Sequence, residues 1–184
     1  MLLLLSNAKN VVRQGFYAHE LPRVREFCRK NNIYLVTSQF KVLLSETKGT
    51  YSNKGIRVPA SSVKGMFFIY VSKDELLACK AALSEQVQDH HEFGQLLEYP
   101  ECCIKAFCTM FSAEKTNLQN IPTNLWTNLS KREHDDVLLS HFPCSSDCIE
   151  SIALAKKYCA VLKQHDLDYA ETLLKRLEQN LYNQ

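Results

Sequence analysis

A chain of 184 residues with 46% hydrophobic side chains and a formal charge of +2 has enough apolar material to bury a core, which argues against wholesale disorder. Its N-terminal apolar run, residues 2–5, is too short to span a bilayer and lacks the basic start and long apolar stretch of a signal peptide. The expected setting is therefore cytoplasmic, with no membrane partner.

In chain order, residues 2–12 are compatible with a helix but carry no clear caps. Residues 20–30 place Leu21, Val24 and Phe27 at helical spacing, with Asn31-Asn32 as a stop. The β-branched and aromatic runs 33–36, 40–44 and 66–71 predict strands, separated by a polar, turn-rich stretch at 45–64. Ser72-Lys73-Asp74-Glu75 has the form of a capping box and opens a long helix to about Leu97, with a break expected near Gly94. Pro100 is placed to start another helix, because a proline in the first turn lacks only an N–H that has no partner there. Ser145 or Ser146 can cap a helix to Gln164, and Asp168 with Glu171 can cap a last one bearing Tyr169, Leu173, Leu177 and Leu181. The expected fold class is α+β: a small mixed N-terminal sheet with helices, then a mainly helical region. The length fits a single domain, 1–184, with a basic α/β portion at 1–71 and a helical portion at 72–184.

The chemistry of this sequence sits in its eight cysteines. In a reducing compartment, clustered thiols point to metal binding or catalysis more often than to disulfides. Cys28 and Cys79 stand apart and are expected to be small buried hydrophobes, and Cys108 and Cys159 are expected in the core. The remaining four fall in two short motifs. In Tyr99-Pro100-Glu101-Cys102-Cys103 both cysteines lie in the first turn of a helix, where free N–H groups and the helix dipole favour a thiolate. Adjacent helical residues point about 100° apart, so this reading leaves open which of Cys102 and Cys103 faces a site. In His141-Phe142-Pro143-Cys144-Ser145-Ser146-Asp147-Cys148 three soft or borderline ligands stand within eight residues. Metal-ligand candidates are thus Cys102, Cys103, His141, Cys144 and Cys148, suiting zinc or an iron–sulfur cluster. The spacing is not that of paired Cys-x2-Cys ribbons. As catalytic candidates, Cys103 and Cys102 are nucleophiles and His91 is a base near them in the chain. His90, His91 and Glu92 also fit an ordinary polar helix face. Asp147 and Glu150 fit the acids favoured at a helix start, and Trp126 fits a packing anchor.

The two motifs, with Gly94-Gln95-Leu96-Leu97-Glu98 before the first and Ser151 ending the second, resemble an uncharacterised prokaryotic domain-of-unknown-function family. Its patterns are Gly-x-Leu-Leu-Gly-Tyr-Pro-x-Cys-Cys and His-x-Pro-Cys-Ser-x-x-Cys-x-x-Ser. The likeness spans residues 94–162. Glu98 stands where the family pattern has its second glycine, which puts the turn before Tyr99 in question. The resemblance implies that both motifs serve one site, and it implies no reaction.

Charge is uneven along the chain: residues 1–70 hold eleven Lys/Arg against three Asp/Glu, and residues 71–184 hold eleven against seventeen. A basic front third can meet an anionic substrate or nucleic acid, although a solvated basic face has the same signature. Lys48, Lys54, Arg57 and Lys64 could hold phosphate, but there is no Walker pattern and no G-x-G-x-x-G. Three readings compete. The first is a metal- or thiolate-centred site acting on an anionic substrate. The second is a binding module with structural cysteines whose basic third contacts nucleic acid. The third is a thiol–disulfide switch between Cys102 or Cys103 and Cys144 or Cys148. Interleaved exposed aromatics are not expected on the basic segment, which weakens the second.

Overall fold

Met66–Ser72 is the strand β4 on which the first half of the molecule is built, and its sequence reads MFFIYVS without polar alternation. Such a run suits a strand covered on both faces, and Ile69, Tyr70 and Val71 are fully buried. The computed structural model describes residues 1–44, 55–112, 115, 117–130, 132 and 136–182. These fall into two compact units, one of residues 1 and 9–98 and the other of residues 2–8 and 99–184.

In the first unit β1 (Val11–Phe16) and β2 (Tyr34–Leu44) flank β4, and β3 (Gly55–Pro59) pairs with the outer side of β2. The fold is α+β as expected. The sheet, expected to be mixed, is antiparallel in every pairing. Two strands went unseen in the sequence. β1 lies partly where a helix was plausible, and the actual N-terminal helix α1 is only Leu2–Leu5. β3 lies inside the stretch expected to be turns. Lys48 and Lys54 are outside the described residues.

The two apolar runs at 33–36 and 40–44 are one strand interrupted by a bulge between Thr37 and Lys41. Ser38 repairs the ladder there: its hydroxyl accepts from the Phe68 N–H at 3.1 Å and donates to the Phe40 carbonyl at 2.6 Å. At Gly65 the chain adopts φ +104°, and a Cβ would stand 3.1 Å from the Val42 carbonyl oxygen, so the turn into β4 needs glycine.

Alternate residues of β4 point to opposite faces. Tyr70, paired with Arg13 on one side and Val36 on the other, faces helix α3 (Glu75–Gln86). Ile69 is paired with Thr37, whose hydroxyl accepts from Arg25 of helix α2 (Leu21–Lys30) on the other face. Asp74 caps α3 by accepting from the N–H groups of Leu76 and Leu77, while Ser72 accepts from the Asp74 N–H one step earlier. The long helix expected from residue 72 onward breaks at Gln88, where φ is +63°, and not at Gly94, which is buried inside helix α4 (His90–Leu96). Because α3 packs on β1, β2 and β4, and α4 packs on α3, the sheet-based unit extends to Glu98. Glu98 has a left-handed backbone, φ +55°, a conformation that glycine adopts more freely. Its carboxylate accepts from the backbone and side chain of Asn10 at 2.6 and 2.9 Å.

Among the described residues of the second unit, helices α5 (Glu101–Met110), α6 (Ile149–His165) and α7 (Leu167–Tyr182) stand beside α1. α7 buries Ala170, Leu173 and Leu177, whereas Tyr169, expected on the apolar stripe, is half-exposed. The core joins Leu129, Leu139, Ala155 and Tyr158, with Leu3, Trp126 and Leu154 packed against them. Trp126 is the packing anchor expected. Cys28 and Cys159 are buried, but Cys79 and Cys108 are exposed, contrary to expectation. α3 turns the small Ala78 and Ala81 to the sheet and leaves Cys79 on its outer side with Leu76 and Leu83. α5 likewise buries Cys103 and Ile104 and leaves Cys108 outside. Among the described residues no helix is long and apolar enough to cross a membrane.

In the first unit a partly buried charged cluster joins β1, β4 and α3. Arg13 meets Glu85 in a two-point ion pair at 2.7 and 2.8 Å, and the Tyr70 hydroxyl donates to the same carboxylate at 2.7 Å. Burial, reinforced by the Glu85 charge, pushes the Tyr70 hydroxyl far above its usual range, so it stays a donor. Removing the carboxylate takes the acceptor from the buried Tyr70 hydroxyl and the ion-pair partner from the partly exposed Arg13. Glu85→Ala is therefore expected to lower stability by roughly 1–3 kcal/mol in urea unfolding followed by far-UV circular dichroism.

Candidate functional site

Two helix starts in the second unit supply the cysteines. Pro100 is the N-cap of α5, in extended backbone at ψ 135°, and its carbonyl accepts from the N–H groups of Cys103 and Ile104 at 2.9 and 3.0 Å. Proline here fixes φ and fails to continue a helix backward, so Cys102 and Cys103 fall in the first turn, as the sequence indicates. Cys148 is itself the N-cap of α6; its carbonyl accepts from the Ile152 N–H at 2.9 Å, and its N–H donates to Ser145 at 3.2 Å. The helix thus starts three residues later than a Ser145 cap would place it.

Between these starts, the loop carrying His141, Cys144 and Cys148 has no helix or strand backbone to hold it. Side chains from residues 120–127 hold it instead. Asn120 donates to the Pro143 carbonyl at 2.7 Å, and Asn124 and Thr127 donate to the Ser146 carbonyl at 2.8 and 2.5 Å. The Thr123 hydroxyl donates to Asp147 at 2.6 Å. Asn124 is itself fixed, since its side-chain oxygen accepts from the N–H groups of Trp126 and Thr127.

The result is a group of four sulfurs, from Cys102, Cys103, Cys144 and Cys148, all within 4.8 Å of one another. Cys148 lies 3.6 Å from Cys102 and 3.7 Å from Cys103, and those two neighbours are 3.9 Å apart. Both members of the vicinal pair therefore reach the site. One helix face could not have offered both. A group sitting off the end of the helix, above its first turn, is reached by both side chains. Four close cysteines of this kind can hold a metal ion.

His141 is near but differently engaged. Its Nε2 lies 2.9 Å from the Ser151 hydroxyl, and its ring packs on Tyr99 with centroids 4.8 Å apart. Ser151 is fully buried, and its hydroxyl oxygen is also 3.2 Å from the Cys103 sulfur. The Cys144 N–H donates to that same sulfur at 3.3 Å. Glu150, in the first turn of α6, accepts from the Cys102 thiol at 3.3 Å. The structure thus assigns contacts to Ser151 and Glu150 that the sequence did not single out. The signal available was spacing: both follow Cys148 within one helical turn, so they point toward the same end of α6. His91 lies exposed on α4 in the other unit.

The proton affinities of the thiols are unequal. Burial pushes Cys103 up to about 12 against the opposing hydrogen bonds from Ser151 and Cys144. Burial also raises Cys102, together with the Glu150 carboxylate, which favours the protonated thiol as its donor. Burial acts upward on Cys148 too, but hydrogen bonds from Ser151, Cys102 and Cys144 outweigh it and bring that thiol down to about 7.

Fold and site together define an α+β protein with a four-cysteine centre able to bind a metal, built at the junction of two helix N-termini. The chain belongs to the DUF483 family of proteins of unknown function, whose profile matches residues 69–181 and so includes both cysteine motifs. It is also similar to a protein of Methanocaldococcus jannaschii described as "Uncharacterized protein MJ1106", with 31% identity over 96 residues. That stretch covers 50% of this chain and 51% of the relative, so the chain spans about half the length of the protein it matches. No solved structure matches.

The Ser151 hydroxyl, shared between His141 and Cys103, makes a specific demand on stability. Ser151→Ala deprives His141 Nε2 and the Cys103 sulfur of a buried partner and is expected to cost about 1–3 kcal/mol, read as a lowered midpoint in chemical denaturation.

Proposed function

We propose that this protein carries one metal ion, zinc in the first instance, bound tetrahedrally by Cys102, Cys103, Cys144 and Cys148. The observation that carries this reading is the spacing of the sulfurs. Zinc–thiolate bonds of about 2.3 Å in a tetrahedron put the sulfurs about 3.8 Å apart, close to the 3.6, 3.7 and 3.9 Å measured among Cys102, Cys103 and Cys148. An iron–sulfur cluster interposes several ions and inorganic sulfides, so its thiolates stand farther apart than ligands sharing one ion. The upper limit of 4.8 Å favours a single ion. A lone iron would fit the same tetrahedron, and colour separates it from zinc.

Such an ion ties the start of α5 to the start of α6. Its binding energy is folding energy, on the order of 10 kcal/mol for structural zinc sites. The role of the centre is to hold the helical unit in one arrangement and to keep a thiolate-rich surface at the head of two helices.

The test is elemental analysis of protein purified without oxygen, with an absorption spectrum. About one equivalent of zinc and no visible band is expected. Several irons per chain would replace this reading with a cluster, and a metal-free protein with full stability would end it. Cys148→Ser is expected to lose the metal while Cys28→Ser keeps it. Stripping the ion with a strong chelator is expected to lower the thermal midpoint of the wild type toward that of Cys148→Ser.

A second reading concerns the basic front third. On α2, Arg23, Arg25, Arg29 and Lys30 are exposed, and among the described residues Arg23 and Arg29 have no carboxylate partner. Phe27 is 37% exposed on the same helix, with Tyr17 (48%) just before it and Tyr34 (47%) just after it. Exposed aromatics among cations are what a single-stranded nucleic acid uses, through stacking and phosphate contacts. Exposed aromatics, which the sequence reading did not expect here, thus flank these cations along the chain. Binding of a fluorescent single-stranded oligonucleotide is expected to weaken steeply as salt is raised, and to weaken further in R23E/R29E. An affinity indifferent to both would remove this reading.

A further inference from the structure

The four sulfurs do not have equal surroundings. Cys103 and Cys148 are buried, Cys144 is half-buried and Cys102 is exposed. Cys103 has hydrogen-bond donors around it: the Cys144 N–H at 3.3 Å, and the Ser151 hydroxyl at 3.2 Å when that hydroxyl accepts in turn from His141 Nε2–H at 2.9 Å. Donors of this kind stabilise a metal-bound thiolate and fix its orientation. Cys102 has the opposite neighbour, the Glu150 carboxylate at 3.3 Å, which can only accept. A carboxylate holds a thiol through its S–H and repels a thiolate.

We propose, resting on the metal reading above, that Cys102 is the exchangeable corner of the centre and that a small exogenous thiol takes its place on the ion. In this exchange the bond between the ion and the Cys102 sulfur breaks and a bond from the ion to the entering sulfur forms. The proton of the entering thiol passes to the Cys102 sulfur, whose S–H then donates to Glu150, the contact seen in the structure. No electron is transferred, and one thiolate replaces another, so the charge of the centre is unchanged. A thiol is the fitting class of ligand because the three sulfurs that remain are soft donors and favour a soft fourth partner. The exposed side occupied by Cys102 is where such a ligand would enter. Cys103, Cys144 and Cys148 keep the ion in place meanwhile, and Glu150 acts through Cys102 as a positioning residue.

The experiment uses the wild-type full chain loaded with cobalt(II), alkylated under anaerobic conditions with iodoacetamide and mapped by mass spectrometry. Cys79 is exposed and outside the sulfur group, so it serves as an internal reference for a thiol away from the ion. Cys102 is expected to react at least about tenfold faster than Cys103, Cys144 and Cys148, because it is the exposed sulfur of the four and the other three stay on the ion. In Cys102→Ser, added 2-mercaptoethanol is expected to restore the intensity of the thiolate-to-cobalt absorption band. In Glu150→Gln, whose amide can donate to a bound thiolate, displacing Cys102 from the ion is expected to need a severalfold higher concentration of 2-mercaptoethanol. Equal protection of all four sulfurs, or a fastest reaction at Cys144, would overturn the exchange while leaving the metal reading intact. Failure of the wild type to bind cobalt or zinc would instead overturn the metal reading itself.

Discussion

The loop between His141 and Cys148 must be held without a backbone ladder, and the sulfur group depends on that. Two of the four sulfurs ride on this loop or on its last residue, while the other two sit at the rigid start of α5. The carbonyls of Pro143 and Ser146 find their partners in Asn120, Asn124 and Thr127. Side-chain amides suit this task, since each can satisfy a carbonyl that no strand neighbour reaches. The irregular connection preceding the loop is thus its scaffold. Asn128 extends the same device to the last helix, donating to the Leu177 carbonyl at 2.8 Å from a fully buried position.

Helix N-termini give this arrangement its electrostatic sense. The first turns of α5 and α6 point unpaired N–H groups and the positive ends of their dipoles toward the cysteines. That field favours the thiolates an ion requires, while burial of Cys103 and Cys148 works against free charge. The balance is resolved differently at each sulfur, by Ser151 and the Cys144 N–H on the inner side and by Glu150 on the outer. One motif, with its His, two Cys and Ser, supplies two of the sulfurs and several of the groups around them.

The sheet-based unit solves a different problem, that of covering a strand on both faces. β4 achieves this with an uninterrupted apolar run, and a polar cluster then has to be fitted into a tight space beside it. Arg13 lies over the Phe68 ring at 3.4 Å while its guanidinium is met by Glu85, so the charge is shared between an aromatic face and a carboxylate. Tyr70 uses the remaining capacity of Glu85.

What the sequence by itself determined is largely local. Pro100 and the cysteines after it specified a helix start, because the steric limits of proline act within one turn. The helix over α2 and the strand at β4 followed from apolar spacing, and the gathering of cysteines in two motifs marked where the chemistry lies. Tertiary structure decided what depends on partners distant in the chain. β1 and β3 became strands because β4 and β2 offer them edges, which short and partly polar segments do not announce. Whether Cys102 or Cys103 faced inward had no answer from one helix, since the neighbours of both lie more than forty residues away in α6 and its loop. His141 was legible as a ligand type, but its actual hydrogen bond is set by Ser151, a residue buried only once α6 packs. Cys79 and Cys108 turned outward because alanines and an isoleucine on the same helices filled the inward positions. Spacing fixes which residues share a face, but the packing of the whole fold decides which face is covered.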